Sequence, residues 1–161
     1  MSSVRHVALL ASALMLATSH AAAHDDGHEW PEGSAMHSMQ LESARLDAGL
    51  AALQQAHAGL MGAMGENTAR GPSALAQALA AHHEAWLAYT RADCELAGTL
   101  TGAGSSWPTV HGLGCHAGAV EERVEVLRGA TACLQQLDAD ITDFDRLECL
   151  QGLVARSMQP D

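Results

Sequence analysis

Apolar residues recur at three- and four-residue steps along most of this chain, which is the spacing of one face of an α-helix. No segment keeps the alternation of apolar and polar residues that marks a half-buried strand. The pattern therefore predicts an all-α fold. In the first predicted helix the apolar positions are Met39, Leu46, Leu50, Leu53, Leu60 and Met64.

Start signals divide the chain into four predicted helices. Ser38 and Ser73 are suitable N-caps for the first two helices, and the third is expected to start near Thr109. The acidic stretch LDADITD forms the last turn, in which Thr142 and Asp145 have the spacing of a capping box. These signals predict a small antiparallel bundle of about four helices.

The N-terminus has the features of a secretory signal peptide. A single arginine precedes a short apolar run at residues 7–18, and small residues follow as far as Ala23. The run is too short to span a bilayer as a helix. We therefore expect cleavage near Ala23 and export to the periplasm or the medium. A flexible histidine-rich tail is expected over residues 24–37, and a single helical domain over residues 38–158.

Four cysteines follow the signal peptide, and an even number in an oxidising compartment predicts disulfides. Three pairings are formally open. Helical spacing favours Cys94–Cys115 and Cys133–Cys149, because the crossed pairings would need distant helix ends to meet. Each bond would stabilise the fold by about 3 kcal/mol. Such bonds are useful here because alanine-rich helices build a thin core.

The charge of the chain restricts its partners. The sequence contains no lysine, and loss of Arg5 with the signal peptide takes the formal net charge from −11 to −12. This charge repels nucleic acids and anionic membranes and favours a cationic protein partner. No nucleophile elbow, HExxH motif or phosphate-binding loop is present. We therefore expect a non-enzymatic protein without catalytic residues, nucleic-acid partner or stable membrane insertion.

A spaced motif occupies the middle of the chain. It reads W-x2-Y-x4-C, a loop rich in glycine and serine, and then C-x7-R-x3-L. This order resembles the LprI-type lysozyme-inhibitor domain, a family of small exported bacterial proteins. The resemblance implies an exported, disulfide-stapled helical domain that inhibits lysozyme. The motif residues are Trp86, Tyr89, Cys94, Cys115, Arg123 and Leu127.

The residues themselves predict mostly structural roles for this motif. Trp86 and Tyr89 lie three positions apart on a helix and are expected to pack as an aromatic pair in the core. A binding platform is the alternative for this pair. Arg123 is expected to reach the second helix, at Glu84 or Asp93, as a clamp between helices.

The loop between the first two cysteines is the predicted partner-binding segment. Fixing its ends with a disulfide lowers the entropy lost on docking, and a tryptophan is a typical anchor in an interface. We predict that this loop binds a cationic protein such as lysozyme. The alternative is a passive connector whose tryptophan folds back over the hairpin. The residues concerned are Ser105, Ser106, Trp107 and His111.

The histidine-rich tail suggests a different function. Its imidazoles, together with neighbouring methionines, suit copper or zinc. A periplasmic copper- or zinc-binding protein is therefore an alternative reading, and a structural scaffold of the cell envelope is another. No other cofactor is expected. The proposed metal ligands are His24, His28 and His37.

Overall fold

The computed structural model describes residues 30–64, 73–137 and 143–154. Within these ranges the chain forms four α-helices followed by a 3₁₀ turn, and no strand. The prediction of an all-α fold is therefore confirmed. The helices are α1 (Ala35–Ala63), α2 (Ala74–Leu100), α3 (Trp107–Gln136) and α4 (Asp143–Leu150), and the 3₁₀ turn spans Gln151–Leu153.

Serine side chains cap the first two helices. The Ser34 hydroxyl accepts a hydrogen bond from the His37 amide at 3.2 Å, so α1 begins one turn earlier than predicted. Ser38 cannot be the cap, because its own amide already donates to the Ser34 carbonyl within the helix. The prediction for α2 is confirmed, since the Ser73 hydroxyl accepts from the Ala76 amide at 3.2 Å.

The third helix also begins earlier than predicted, at Trp107 rather than Thr109. Ser106 holds the N-cap position but makes no side-chain capping bond. Pro108 lies in the first turn, where its fixed φ suits a helix and no amide donor is needed. The predicted capping box at the fourth helix includes Thr142, which lies outside the described residues.

Helix α3 is the element on which the others pack. Helices α1 and α2 lie along it, whereas they make few contacts with each other. Helix α4 and the 3₁₀ turn also pack against α3. The apolar interior is therefore arranged around one helix. Its largest fully buried side chains are Leu53, Leu60, Val120 and Leu127.

Both disulfides have the predicted pairing. Cys94–Cys115 joins α2 to α3, and Cys133–Cys149 joins α3 to α4. The first bond lies well inside its two helices, because only residues 101–106 connect α2 to α3. The segment between Cys94 and Cys115 is therefore mostly helical and not the long loop that its composition suggested.

Helices α2 and α3 make a backbone-to-backbone contact between this disulfide and the connecting loop. A Cβ atom on Gly98 would lie 2.2 Å from the Pro108 carbonyl oxygen and 2.9 Å from the Gly112 amide nitrogen. Both neighbours are main-chain atoms, so they cannot move aside as a flexible side chain would. Glycine at position 98 is therefore required for the close approach of the two helices.

We predict that Gly98→Ala lowers the free energy of unfolding by about 1–3 kcal/mol, although alanine is the better helix former. Gly129→Ala is the matched control, because a Cβ there would meet no atom within 4 Å. The control should gain up to about 1 kcal/mol from helix propensity. Urea unfolding measures both, and equal effects of the two substitutions would contradict the proposed contact.

Candidate functional site

Most of the family-like motif lines a single groove between α2 and α3. The groove has a volume of about 300 Å³ and lies beside the Cys94–Cys115 disulfide. We call it the α2–α3 groove. Besides the disulfide, it is lined by Trp86, Tyr89, Asp93, Glu122, Arg123 and Val126. The remaining motif residue, Leu127, is buried in the core.

Arg123 is a buried clamp between elements. Its side chain is 8% exposed, its Nη1 donates to the Leu153 carbonyl oxygen at 2.8 Å, and its Nη2 lies 3.1 Å from His82 Nδ1. The guanidinium also lies 5.4 Å from the centre of the Trp86 ring, a cation–π distance. The predicted clamp onto the second helix is therefore present, and it extends to the 3₁₀ turn.

The partners expected for this arginine are nevertheless wrong. Its hydrogen bonds go to His82 and Leu153, and not to Glu84 or Asp93, whose side chains are exposed. A guanidinium only donates, so His82 Nδ1 must accept and the ring is neutral. Burial, and then the charge of Arg123, lower the pKa of His82, which is consistent with this neutral form.

Tyr89 does not pack in the core with Trp86, contrary to the expectation from sequence. Trp86 packs against the core cluster, whereas Tyr89 is 68% exposed. The buried side of α2 contains Thr90 and Cys94. Tyr89 is about 100° around the helix from Thr90, on the side away from Cys94. Its ring therefore forms the open rim of the α2–α3 groove.

Two carboxylates face this groove from opposite helices, and Arg123, the cation in the groove lining, pairs with neither of them. Asp93 on α2 and Glu122 on α3 are both exposed, and neither forms an ion pair or hydrogen bond within the described ranges. Other acidic side chains do have partners. These pairs are Glu42 and Glu121 with Arg45, Glu95 with Arg91, and Glu125 with Arg128.

Sequence reasoning missed Asp93, Glu122 and Val126 as members of one site. The spacing of these residues in the sequence could have indicated two of the contacts. Tyr89 and Asp93 are four residues apart, and so are Glu122 and Val126. Each pair therefore shares one face of its helix. Placing the two pairs on one groove, however, requires the register between α2 and α3, which the sequence does not specify.

A stacked histidine pair connects α1 to α2. The rings of His57 and His83 lie 4.0 Å apart at their centroids, with 9° between their planes. His83 is buried. His57 Nε2 and His83 Nδ1 are buried and find no hydrogen-bond partner among the described residues. Burial is the main cause that lowers the pKa of both rings.

The predicted partner-binding residues are split between a loop and a helix. Ser105 adopts a left-handed φ of 59° in the loop, and Ser106 is the N-cap of α3. Trp107 and His111 belong to the first turns of α3, with ring centroids 6.1 Å apart. Trp107 is 36% exposed, so much of its surface is covered. Their role in partner binding stays a prediction.

A second and larger cavity, of about 530 Å³, is lined by residues of α1, α2 and α3. Leucines from α1 form part of its wall, and Arg91 and Glu95 of α2 form an ion pair at its edge. His116 lines the cavity, and its Nε2 is buried without a described partner. Nothing in the sequence pattern indicated this cavity.

The proposed metal ligands do not form a site that the structure describes. His24 and His28 lie outside the described residues, and His37 lies in the first turn of α1. In the described part of the chain, no group of three or more histidine, cysteine, aspartate or glutamate side chains could hold a metal ion. Copper or zinc binding by the tail therefore stays a prediction.

The fold and the groove define a small helical domain stapled by two disulfides, which fit an extracytoplasmic location. The family model for the lysozyme inhibitor LprI matches residues 32–127, more than half of the chain, and the chain belongs to this family. No curated protein and no solved structure gives a significant match. Among the described helices, none is long and apolar enough to cross a membrane.

We predict that the histidine stack makes stability depend on pH. The pKa values of His57 and His83 are lowered in the folded state, so the unfolded chain binds more protons below its ordinary histidine pKa of 6.5. The free energy of unfolding should therefore fall as the pH is lowered through and below this value. The Glu121 carboxylate, whose pKa Arg45 lowers, should contribute only at more acidic pH, below 4.5.

Denaturant titrations at several pH values between about 5 and about 7.5 would measure this slope. His57→Gln combined with His83→Gln should flatten the slope without abolishing it, because burial also lowers the pKa of His82 and His116. Substitution of the exposed His111 by glutamine is the control. An unchanged slope in the double variant would show that the stack does not carry the effect.

Proposed function

We propose that this chain is an exported, non-enzymatic protein that binds and inhibits lysozyme or a related cell-wall hydrolase. The observation that carries the proposal is the family match over residues 32–127. The matched residues include α1, α2 and the part of α3 that lines the α2–α3 groove. Export would follow cleavage of the signal peptide near Ala23, as the sequence suggests.

Electrostatics supports a cationic target. The full chain has a formal net charge of −11, and the groove carboxylates Asp93 and Glu122 form no ion pair with any residue that the structure describes. A negative surface attracts a positive partner over the distance of the Debye length, so it raises the rate of association more than the final affinity. The chain should therefore associate with a cationic hydrolase fastest at low salt.

Rigidity of the α2–α3 pair supports the same proposal. The disulfide Cys94–Cys115, the close contact at Gly98 and the Arg123 clamp all connect these two helices. A surface that is already ordered loses little conformational entropy when a partner binds. The ordered walls of the groove would therefore lose less conformational entropy on binding a protein than a mobile loop would.

We predict that the purified chain slows the lysis of bacterial cell walls by lysozyme at micromolar excess. Raising the salt from about 20 mM to about 300 mM should weaken inhibition by about tenfold, because screening removes the long-range attraction. The loss of turbidity of a cell-wall suspension measures the inhibition. A second assay with an uncharged small substrate separates binding of the chain to the enzyme from binding of the chain to the wall. Absence of inhibition at low salt would contradict the proposed function.

A further inference from the structure

We propose that the α2–α3 groove receives a basic side chain, preferably an arginine, from the partner protein. The inference deepens the proposed function and rests on it for the identity of the partner as a cationic hydrolase. It assigns the contact to the groove rather than to the loop at residues 101–106. The residues that carry it are Tyr89, Asp93, Glu122 and Val126, with Arg123 in the lining below them.

The walls of the groove match the two parts of a basic side chain. Tyr89 and Val126 offer apolar surface that remains exposed, and Asp93 and Glu122 offer carboxylates. An arginine has an apolar stem and a charged planar head, and it stacks on aromatic rings while it donates to carboxylates. One arginine side chain would therefore contact both the apolar surface and the carboxylates of the groove. A simple metal ion would contact only the carboxylates.

The carboxylates are available because the arginine in the groove lining is occupied elsewhere. Two nitrogens of Arg123 are committed to Leu153 and His82, and the cation lies over Trp86. Neither Asp93 nor Glu122 forms an ion pair with any residue that the structure describes. An incoming guanidinium would thus form new charge-assisted hydrogen bonds without breaking existing ones.

Arg123 adds a second observation that points to a peptide ligand. It lines the groove, is more than nine-tenths buried, and its Nε–H finds no acceptor within the described ranges. A buried donor without an acceptor costs free energy. A small acceptor that enters the groove with the partner, such as a water, would complete the hydrogen bonding of this guanidinium.

The exposed phenol of Tyr89 has no packing role that explains its position. It is the single tyrosine of the chain, 68% exposed at the groove rim. Tyrosine contributes strongly to interfaces because a rigid ring brings a large contact area with few rotatable bonds. A guanidinium stacked on this ring would gain cation–π attraction in addition to its ion pairs.

The direct test uses acetyl-triarginine-amide as the probe and acetyl-tricitrulline-amide, its neutral analogue, as the control peptide. Chemical-shift titration of the whole chain should show saturable changes at Tyr89, Asp93 and Glu122 with the arginine peptide and none with the citrulline peptide. The combined substitution Asp93→Asn and Glu122→Gln should weaken probe binding at least about fivefold. Tyr89→Ala should weaken it by about threefold or more.

Asp47→Asn combined with Glu148→Gln is the matched control variant. It removes the same charge from exposed carboxylates of α1 and α4 that lie away from the groove and form no ion pair with any described residue. Its probe affinity should stay within about twofold of the parent chain. Equal weakening in both double variants would overturn the inference, because binding would then reflect net charge alone. Absence of probe binding by the parent chain would overturn it as well.

Lysozyme inhibition by the same variants separates this inference from the proposed function. Loss of inhibition in the groove variant, but not in the control variant, supports both. If the parent chain and the groove variant inhibit equally, the groove inference fails while the proposed function stands. If the parent chain binds the arginine probe at the groove but does not inhibit lysozyme, the proposed function fails and the groove retains its preference for a basic side chain.

Discussion

The direct contact between the α2 and α3 backbones is the constraint on which the rest of this structure depends. Gly98 allows the helices to approach until main-chain atoms touch, and the Cys94–Cys115 bond fixes them nearby. The walls of the α2–α3 groove lie beside this bond, with Asp93 on α2 and Glu122 on α3. A change at this contact would therefore shift the neighbouring walls of the groove, and not only lower the stability of the chain.

Burying the Arg123 cation costs desolvation energy, which surrounding groups must offset. A carbonyl oxygen, a neutral imidazole and the face of Trp86 do so, each from a different part of the fold. None of these groups carries a full negative charge, so the arrangement requires His82 to stay neutral. Protonation of the neighbouring histidine stack would add positive charge beside an already buried cation. The clamp and the stack are therefore coupled through their electrostatics.

The helices and both disulfide pairings could be predicted from the sequence, because they follow from apolar spacing and from distance along helical hairpins. The start of α1 could not, since Ser34 and Ser38 are both chemically suitable caps and only the path of the preceding chain selects one. The position of Tyr89 was also undetermined. A three-residue spacing from Trp86 places both rings on neighbouring parts of a helix, but it does not fix how the helix is rotated against α3. The partner of Arg123 was mispredicted for a similar reason: complementary charge favoured carboxylates, whereas geometry placed His82 and a carbonyl there.

The groove separates two roles within one short motif. Leu127 and Arg123 are buried and Trp86 is partly buried, and all three hold the helices together. Tyr89 belongs to the same motif but contributes almost nothing to the core, because most of its ring faces solvent. The exposed ring of Tyr89 lies in the same groove as the carboxylates of Asp93 and Glu122. Burial of its apolar surface by another molecule would be favourable. The structural members of the motif thus fix the position of the one member that stays exposed at the groove.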